Sequence, residues 1–178
     1  MFRKRSLTTR DIVFGGVLAA MCAIATSLKI PFGVGAMVHL GTAFLYTVGI
    51  CFGGVYAGLA GAIGSAFYDL IMGFSPYTVW SFVIKGLAGL IVGVVAKGLW
   101  PSPVRLGERE SNGWIWRALL GCILAAAWTL GGYIAAWWQV TGSLAIAVAN
   151  IPSSLMTSGV GLVVAMILSP KLRKNVNW

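Results

Sequence analysis

The sequence has few charged residues, and this scarcity excludes a water-soluble globular fold. Only 10% of its 178 residues are charged, while 58% are hydrophobic. An ordinary soluble domain carries roughly 25% charged residues. A core of this size cannot bury so much apolar surface, so lipid or neighbouring membrane helices must surround most side chains. The sequence therefore predicts an all-α membrane protein that has the lipid bilayer as its solvent.

Residues that carry catalytic or metal chemistry are also scarce. The chain has one histidine, three cysteines and four acidic residues. It contains no P-loop, no paired histidines, no nucleophile elbow and no cluster of intramembrane carboxylates. We therefore predict no enzyme activity, no metal site and no cofactor. The widely spaced Cys22, Cys51 and Cys122 are interpreted as small buried hydrophobic residues.

Apolar runs separated by proline, glycine or charge predict a bundle of six transmembrane helices in a single domain. At about 20 apolar residues per span, six helices use most of the chain. The second run is short for a span, and the polar segment near 98–113 is interpreted as a cytoplasmic linker. The helices are expected near residues 11–28, 40–53, 55–72, 77–97, 114–138 and 144–168.

The formal net charge of +9 indicates membrane topology rather than nucleic-acid binding. Eleven of the thirteen basic residues fall on one side of a six-helix topology. This positive-inside pattern predicts that the N- and C-termini are both cytoplasmic, and no nucleic-acid partner is expected. No small-residue cleavage site ends the first apolar run, so a retained first helix is expected. The eleven residues are Arg3, Lys4, Arg5, Arg10, Lys97, Arg105, Arg109, Arg117, Lys171, Arg173 and Lys174.

Polar residues inside the third and fourth helices predict a pocket toward the outer surface. Lys85 would lie about 12 Å deep at 1.5 Å per residue. Its ammonium group at that depth needs a partner, a hydrated cavity or a long reach back to the surface. Asp69 is the candidate partner, and a structural ion pair and a ligand contact both remain open. Thr78, Ser81 and Phe82 share the helix face of Lys85.

Aromatic and amide side chains near the outer ends of the last two helices extend this predicted pocket. Tyr133 and Trp137 are one helical turn apart and could form a wall for a planar ring, although Trp137 could instead be an interfacial anchor. Asn150, Ser153 and Ser154 flank Pro152, so these polar side chains either satisfy a helix kink or bind a ligand. The predicted substrate-binding residues are His39, Asp69, Thr78, Ser81, Phe82, Lys85, Trp128, Tyr133, Trp137 and Asn150.

A stripe of small residues runs along the first predicted helix. Gly15, Ala19 and Ala23 recur every four residues and so share one face. Small residues let another helix approach closely. Packing inside the bundle and docking of a partner membrane subunit are both open on spacing alone.

Four features of the sequence resemble the substrate-binding S components of energy-coupling factor (ECF) transporters, most closely the riboflavin-type group. They are the small-residue stripe, HLGTAFLYTVGICFGGVYAGLAGAIGSAFYDLIMG at 39–73, SFVIKGLAGLIVGVVAKG at 81–98, and Asn-Ile-Pro at 150–152. The resemblance implies a subunit of an ECF-type ABC importer in a bacterial cell membrane. Such a subunit binds a vitamin or vitamin precursor from outside and delivers it with a membrane T component and two cytoplasmic ATPases. It also implies that Ala19 and Ala23, with Gly15 in line, contact the T component.

Two departures from the family pattern concern the pocket. Ala88 follows the Ile-Lys-Gly-Leu run where this group often has an acidic residue, and the outer loop at 29–40 is short. Aromatic walls with one Asp, one Lys and one Asn suit a small planar heterocycle. A pyridoxine-like vitamer or a hydroxymethylpyrimidine is favoured, and riboflavin remains open. A stand-alone small-solute transporter or channel is the alternative function.

Overall fold

The computed structural model describes residues 8–32, 36–100 and 113–175, and within these ranges it is a helical bundle with one β-hairpin. The two strands pair antiparallel, with Lys29 opposite His39. The helices are α1 (Thr9–Ser27), α2 (Gly41–Phe52), α3 (Gly54–Ile71), α4 (Ser75–Ala96), α5 (Gly113–Thr141), α6 (Leu144–Ala149) and α7 (Ile151–Asn175), and the strands are β1 (Lys29–Phe32) and β2 (Ala36–His39).

Five helical segments of the described chain are long and apolar enough to cross a membrane. They are α1, α3, α4, α5, and α6 with α7 taken as one segment over Leu144–Arg173. The remaining helix, α2, has 12 residues, whereas a perpendicular span needs about 20. The structure therefore supports a multi-pass membrane protein. The count of six spans and the cytoplasmic position of both termini stay predictions.

The structure differs from the predicted boundaries in two places that bear on function. The expected outer loop forms the β1–β2 hairpin, and the last predicted helix is divided at Asn150 into α6 and α7. The Asn150 side-chain amide donates to the carbonyl of Ile146 at 2.9 Å and so satisfies the end of α6. Pro152 then lies in the first turn of α7, where its missing N–H needs no helical partner.

Small residues hold α1, α3 and α4 close together. A Cβ atom added to Gly61 of α3 would lie 2.9 Å from the carbonyl carbon of Lys85 on α4. A Cβ atom added to Gly64 would lie 2.8 Å from the Cβ atom of Cys22 on α1. Close backbone approach of this kind is the usual basis of helix association in membranes. It places the middle of α4 directly against α3.

The core of the described chain is centred on α2, which contacts α1, α3, α4 and α7. Tyr46 and Ile50 of α2 are fully buried there. Cys22, Cys51 and Cys122 are buried and form no disulfide. This confirms their prediction as small hydrophobic residues.

The two ends of the bundle differ in charge. We call the end with the β1–β2 hairpin the hairpin end, and the end where α4 stops and α5 starts the linker end. Most described basic residues lie at the linker end, as the charge pattern predicts, while Lys29 and Lys85 lie toward the hairpin end. Those at the linker end are Arg10, Lys97, Arg117, Lys171 and Arg173. The predicted basic residues Arg3, Lys4, Arg5, Arg105 and Arg109 and most of the predicted linker lie outside the described residues.

Candidate functional site: a polar cavity at the hairpin end

A cavity of about 360 Å³ lies at the hairpin end of the bundle. Ligand pockets in proteins span roughly 300–1,000 Å³, so this volume suits a small molecule. Side chains from α1, both strands, α3, α4, α5, Asn150 and α7 contribute to its wall. The lining residues are Thr26, Lys29, His39, Ser65, Tyr68, Asp69, Phe74, Tyr77, Ser81, Lys85, Thr129, Tyr133, Trp137, Asn150, Ser153, Ser154, Thr157 and Ser158.

The structure brings seven of the ten predicted binding residues together at this cavity. They are His39, Asp69, Ser81, Lys85, Tyr133, Trp137 and Asn150.

The other three predicted residues lie outside the cavity lining. Phe82 is exposed on the side of the bundle. Successive residues of a helix are about 100° apart around its axis, so the Phe82 side chain points away from the face that carries Ser81. Trp128 is also exposed, and its indole N–H donates to the carbonyl of Ile84 at 3.1 Å. The Thr78 hydroxyl is buried without a hydrogen-bond partner.

Lys85 is the buried cation of the cavity, with 5% of its surface exposed. Its ammonium group donates to the Thr42 hydroxyl at 3.0 Å and lies 5.5 Å from the centre of the Tyr133 ring. Neither contact supplies a negative charge. Burying an ammonium group costs several kcal/mol, and Lys85 has no ion-pair contact with a described carboxylate to offset that cost.

Asp69 and Lys85 both line the cavity but do not form a direct ion pair. Asp69 lies in the last turn of α3, and its Oδ2 atom is buried and accepts no hydrogen bond. Lys29 of the hairpin lies near the same end of α3, with its ammonium nitrogen 5.3 Å from the centre of the Tyr68 ring. The cavity therefore holds charges that are not in ion-pair contact, and Asp69 Oδ2 among them has no hydrogen-bond partner.

An aromatic wall closes one side of the cavity. The ring centres of Tyr77 and Trp137 are 4.8 Å apart, with an angle of 44° between the planes. Tyr133 lies one turn away on α5, and its hydroxyl is 3.3 Å from the Ser81 hydroxyl. Trp138, the neighbour of Trp137, is 57% exposed and lies outside the lining. The structure thus places Trp137 at the cavity and Trp138 on the surface.

Hydroxyl groups of α7 form another part of the cavity wall. From Asn150 onward, polar residues recur every three or four positions and so share one helix face. The sequence predicted Asn150 as a binding residue and left Ser153 and Ser154 open between a helix kink and a ligand contact. The same polar periodicity in an apolar helix also points to the next helical turn. Ser153 and Ser154 do line the cavity, and the α7 residues of the lining that the sequence prediction missed are Thr157 and Ser158.

The remaining missed residues come from other elements. The contacts of Lys29 with Tyr68 and Phe74 depend on how the hairpin folds back over the turn between α3 and α4. No local pattern reports such a contact. These missed residues are Thr26, Lys29, Ser65, Tyr68, Phe74, Tyr77 and Thr129.

His39 ends β2 at the cavity and is held neutral by its surroundings. Burial, reinforced by the positive charges of Lys85 and Lys29, lowers the pKa of His39 to about 3. Its Nδ1 atom is buried without a hydrogen-bond partner. Within residues 8–32, 36–100 and 113–175, no three His, Cys, Asp or Glu side chains gather as metal ligands would.

The small-residue stripe of α1 lies inside the bundle. Ala19 and Ala23 are 4% and 9% exposed, and Gly15 is also buried. A Cβ atom added to Gly64 of α3 would lie 2.6 Å from the Ala19 carbonyl oxygen, so the stripe faces α3. In the structure, the stripe packs inside the bundle, which is the first of the two possibilities left open by its spacing. Its residues are buried and present no open surface to a partner subunit.

Membrane-length helices around a ligand-sized cavity, lined by polar and aromatic residues, define a multi-pass membrane protein with a small-molecule pocket. The chain matches, over residues 6–174, the family model described as "ECF-type riboflavin transporter, S component". The chain therefore belongs to this family, as the sequence resemblance predicted, and the family is one of transporter subunits rather than enzymes.

Relatives come from bacteria and from an archaeon. A UPF0397 protein of Exiguobacterium sp. is 40% identical over 94 residues, which cover 51% of this chain and 50% of the relative. A UPF0397 protein of Lactiplantibacillus plantarum is 35% identical over 101 residues, covering 56% and 54%. An "uncharacterized protein in gap 3′ region" of Pyrococcus woesei is 28% identical over 149 residues, covering 84% and 90%. The chain thus spans about half the length of the two UPF0397 relatives.

Proposed function

We propose that this chain is the substrate-binding subunit of an ECF-type importer and takes its substrate from outside the cell. The observation that carries the proposal is the cavity of about 360 Å³ at the hairpin end. Most described basic residues lie at the opposite end, which the positive-inside rule places in the cytoplasm. The cavity then faces the outside, where a captured nutrient would enter.

The proposed substrate is a vitamin or vitamin precursor with a planar ring. Tyr77 and Trp137 offer aromatic faces against which such a ring can stack. Lys85, Asp69 and Asn150 line the same cavity and can direct hydrogen bonds to ring substituents. A pyridoxine-like vitamer or a hydroxymethylpyrimidine is favoured by this small set of polar groups, and riboflavin is a further candidate.

The proposed partners are a membrane T component and two cytoplasmic ATPases. This part rests on family membership, together with the lack of a nucleotide-binding motif in the sequence. Contact through Gly15, Ala19 and Ala23 would require α1 to separate from α3, because all three residues are buried. We therefore assign no docking residues.

The first test is binding by the purified chain. Small molecules released from the protein are identified by mass spectrometry, and calorimetry then measures the affinity for B vitamins and their precursors. A co-purified heterocycle that rebinds tightly supports the proposal, and Trp137→Ala should weaken that binding more than Trp138→Ala. No released ligand and no binding across the panel would contradict it.

The second test is uptake with and without the partners. Uptake should require co-expression of the T component and ATPases, and it should stop when the P-loop lysine of the ATPases is replaced. Uptake by this chain alone, driven by a gradient, would support the stand-alone transporter instead.

A further inference from the structure

The positive charges of the cavity outnumber its negative charges. Lys85 and Lys29 line the cavity, and Asp69 is the acidic residue among its lining side chains. The whole chain has four acidic residues. Of the others, Asp11 lies at the linker end, where Tyr56 donates to it, and two occur in the sequence at 108 and 110. Among the described residues, Asp69 is therefore the one carboxylate that lines the cavity.

Lys85 has bonding capacity that the protein does not use. An ammonium group carries three N–H donors, and its one described hydrogen bond goes to the neutral Thr42 hydroxyl at 3.0 Å. The residue is 5% exposed, so its remaining partners have to come from the protein or from the contents of the cavity. Lys85 also lines the cavity, and its remaining N–H groups can therefore reach a ligand there.

A second hydrogen-bond donor without a partner lines the same cavity as Lys85. The Thr129 hydroxyl is buried without a partner and lines the same cavity, so it can donate to an oxygen atom of a ligand. Asp69 does not neutralise Lys85 directly, and Lys29 lies at the same end of α3 as Asp69. His39 is neutral. Together these groups leave the cavity with an excess of one positive charge.

We infer that the substrate is a small aromatic anion whose acidic group binds the Lys85 ammonium while its ring stacks on Tyr77 and Trp137. The inference rests on the proposed function and keeps its planar ring, but it takes an acid in place of the uncharged vitamers favoured there. A carboxylate and a phosphate would each supply the missing negative charge and accept two or more hydrogen bonds. The acidic group of the ligand thus gives Lys85 the ion-pair contact that no described carboxylate makes with it.

The experiment compares acids with matched neutral molecules. Calorimetry measures the binding of 4-pyridoxic acid against pyridoxine, nicotinate against nicotinamide, and riboflavin phosphate against riboflavin. Thermal melting with benzoate against benzamide provides a fragment-sized comparison. We expect the acid of at least one pair to bind about tenfold or more tightly, because hydrogen bonds to charged groups contribute on that order.

Two variants assign the preference to Lys85. Lys85→Met should remove the acid preference and leave the melting temperature of the empty protein unchanged or higher, since it removes an unpaired buried charge. Lys85→Arg keeps the charge and reports on its position. Lys171→Met is the matched control, because Lys171 is exposed at the linker end, and it should keep the full acid preference.

The outcomes separate this inference from the proposed function. Equal or stronger binding of the neutral molecules overturns the inference and leaves the proposed function intact. An acid preference that survives in Lys85→Met also overturns it. If no acid binds, benzoate included, the inference is overturned as well. The partner-dependent uptake assay still decides the proposed function separately.

Discussion

Gly61 of α3 is the point where the geometry of the site depends most directly on helix packing. A Cβ atom there would lie 2.8 Å from Leu45 Cδ1 and 2.9 Å from the carbonyl carbon of Lys85, whereas nonbonded carbons pack at about 3.5–4.0 Å. The leucine tip can shift, but the α4 backbone at Lys85 has to move by roughly 1 Å to restore that spacing. Overpacking costs about 1–3 kcal/mol, and the better helix propensity of alanine returns up to about 1 kcal/mol. Gly61→Ala should therefore lose about 1–2 kcal/mol of stability.

Thermal melting in detergent measures this loss, and ligand titration measures its effect on the site. For a chain of this size, 1 kcal/mol corresponds to about 2–4 °C in Tm, so Gly61→Ala should melt a few degrees lower. Affinity for the ligand should fall about tenfold, because Lys85 moves with its backbone. Gly16→Ala is the matched control, since no atom lies within 4 Å of its Cβ position. Equal melting temperatures and affinities for the two variants would refute the packing argument.

Three further predictions concern separate parts of the chain. Trp137→Ala should weaken ligand binding about tenfold, measured by calorimetry, while the exposed Trp138→Ala should not; equal effects would argue against a cavity role. The pKa of His39 is about 3 in the folded protein and 6.5 ordinarily, so the unfolded chain binds its proton more readily and stability falls as the pH drops from 6.5 toward 3. His39→Gln should flatten that part of the Tm–pH curve, and an unchanged slope would contradict the assignment. Ala19→Leu should lower Tm because Ala19 packs on α3, while the exposed Ala20→Leu should be neutral; a stable Ala19→Leu protein that fails to join its partners would restore the docking interpretation.

Much of the candidate site could be predicted because helical periodicity reports which residues share a face. Ser81 and Lys85 are one turn apart on α4, as are Tyr133 and Trp137 on α5, and all four line the cavity. Periodicity was less useful for Phe82 and Trp128, which lie outside the lining. A residue near the edge of a polar face can turn toward lipid when neighbouring helices fix the rotation of its own helix.

Tyr77, Lys29 and the Asp69–Lys85 relation could not be read from the sequence. Tyr77 was near the predicted start of a helix and gained its role through contact with Trp137, which is 60 positions away in the chain. The possible ion pair depended on the distance between two side chains of different helices. Sequence spacing fixes neighbours along one helix, whereas a distance between helices depends on how their small residues pack.

The sequence by itself determined that this is a helical membrane protein, that its basic residues concentrate at one end, and that it resembles ECF-type S components. Those properties follow from composition, hydrophobic run length and charge placement, which act locally along the chain. Only the tertiary structure decided that Gly15, Ala19 and Ala23 pack on α3, and that Lys85 faces the cavity without a carboxylate partner. Both facts depend on the rotation and separation of helices, which are set by close contacts such as those at Gly61 and Gly64. Such contacts join residues that no local pattern connects.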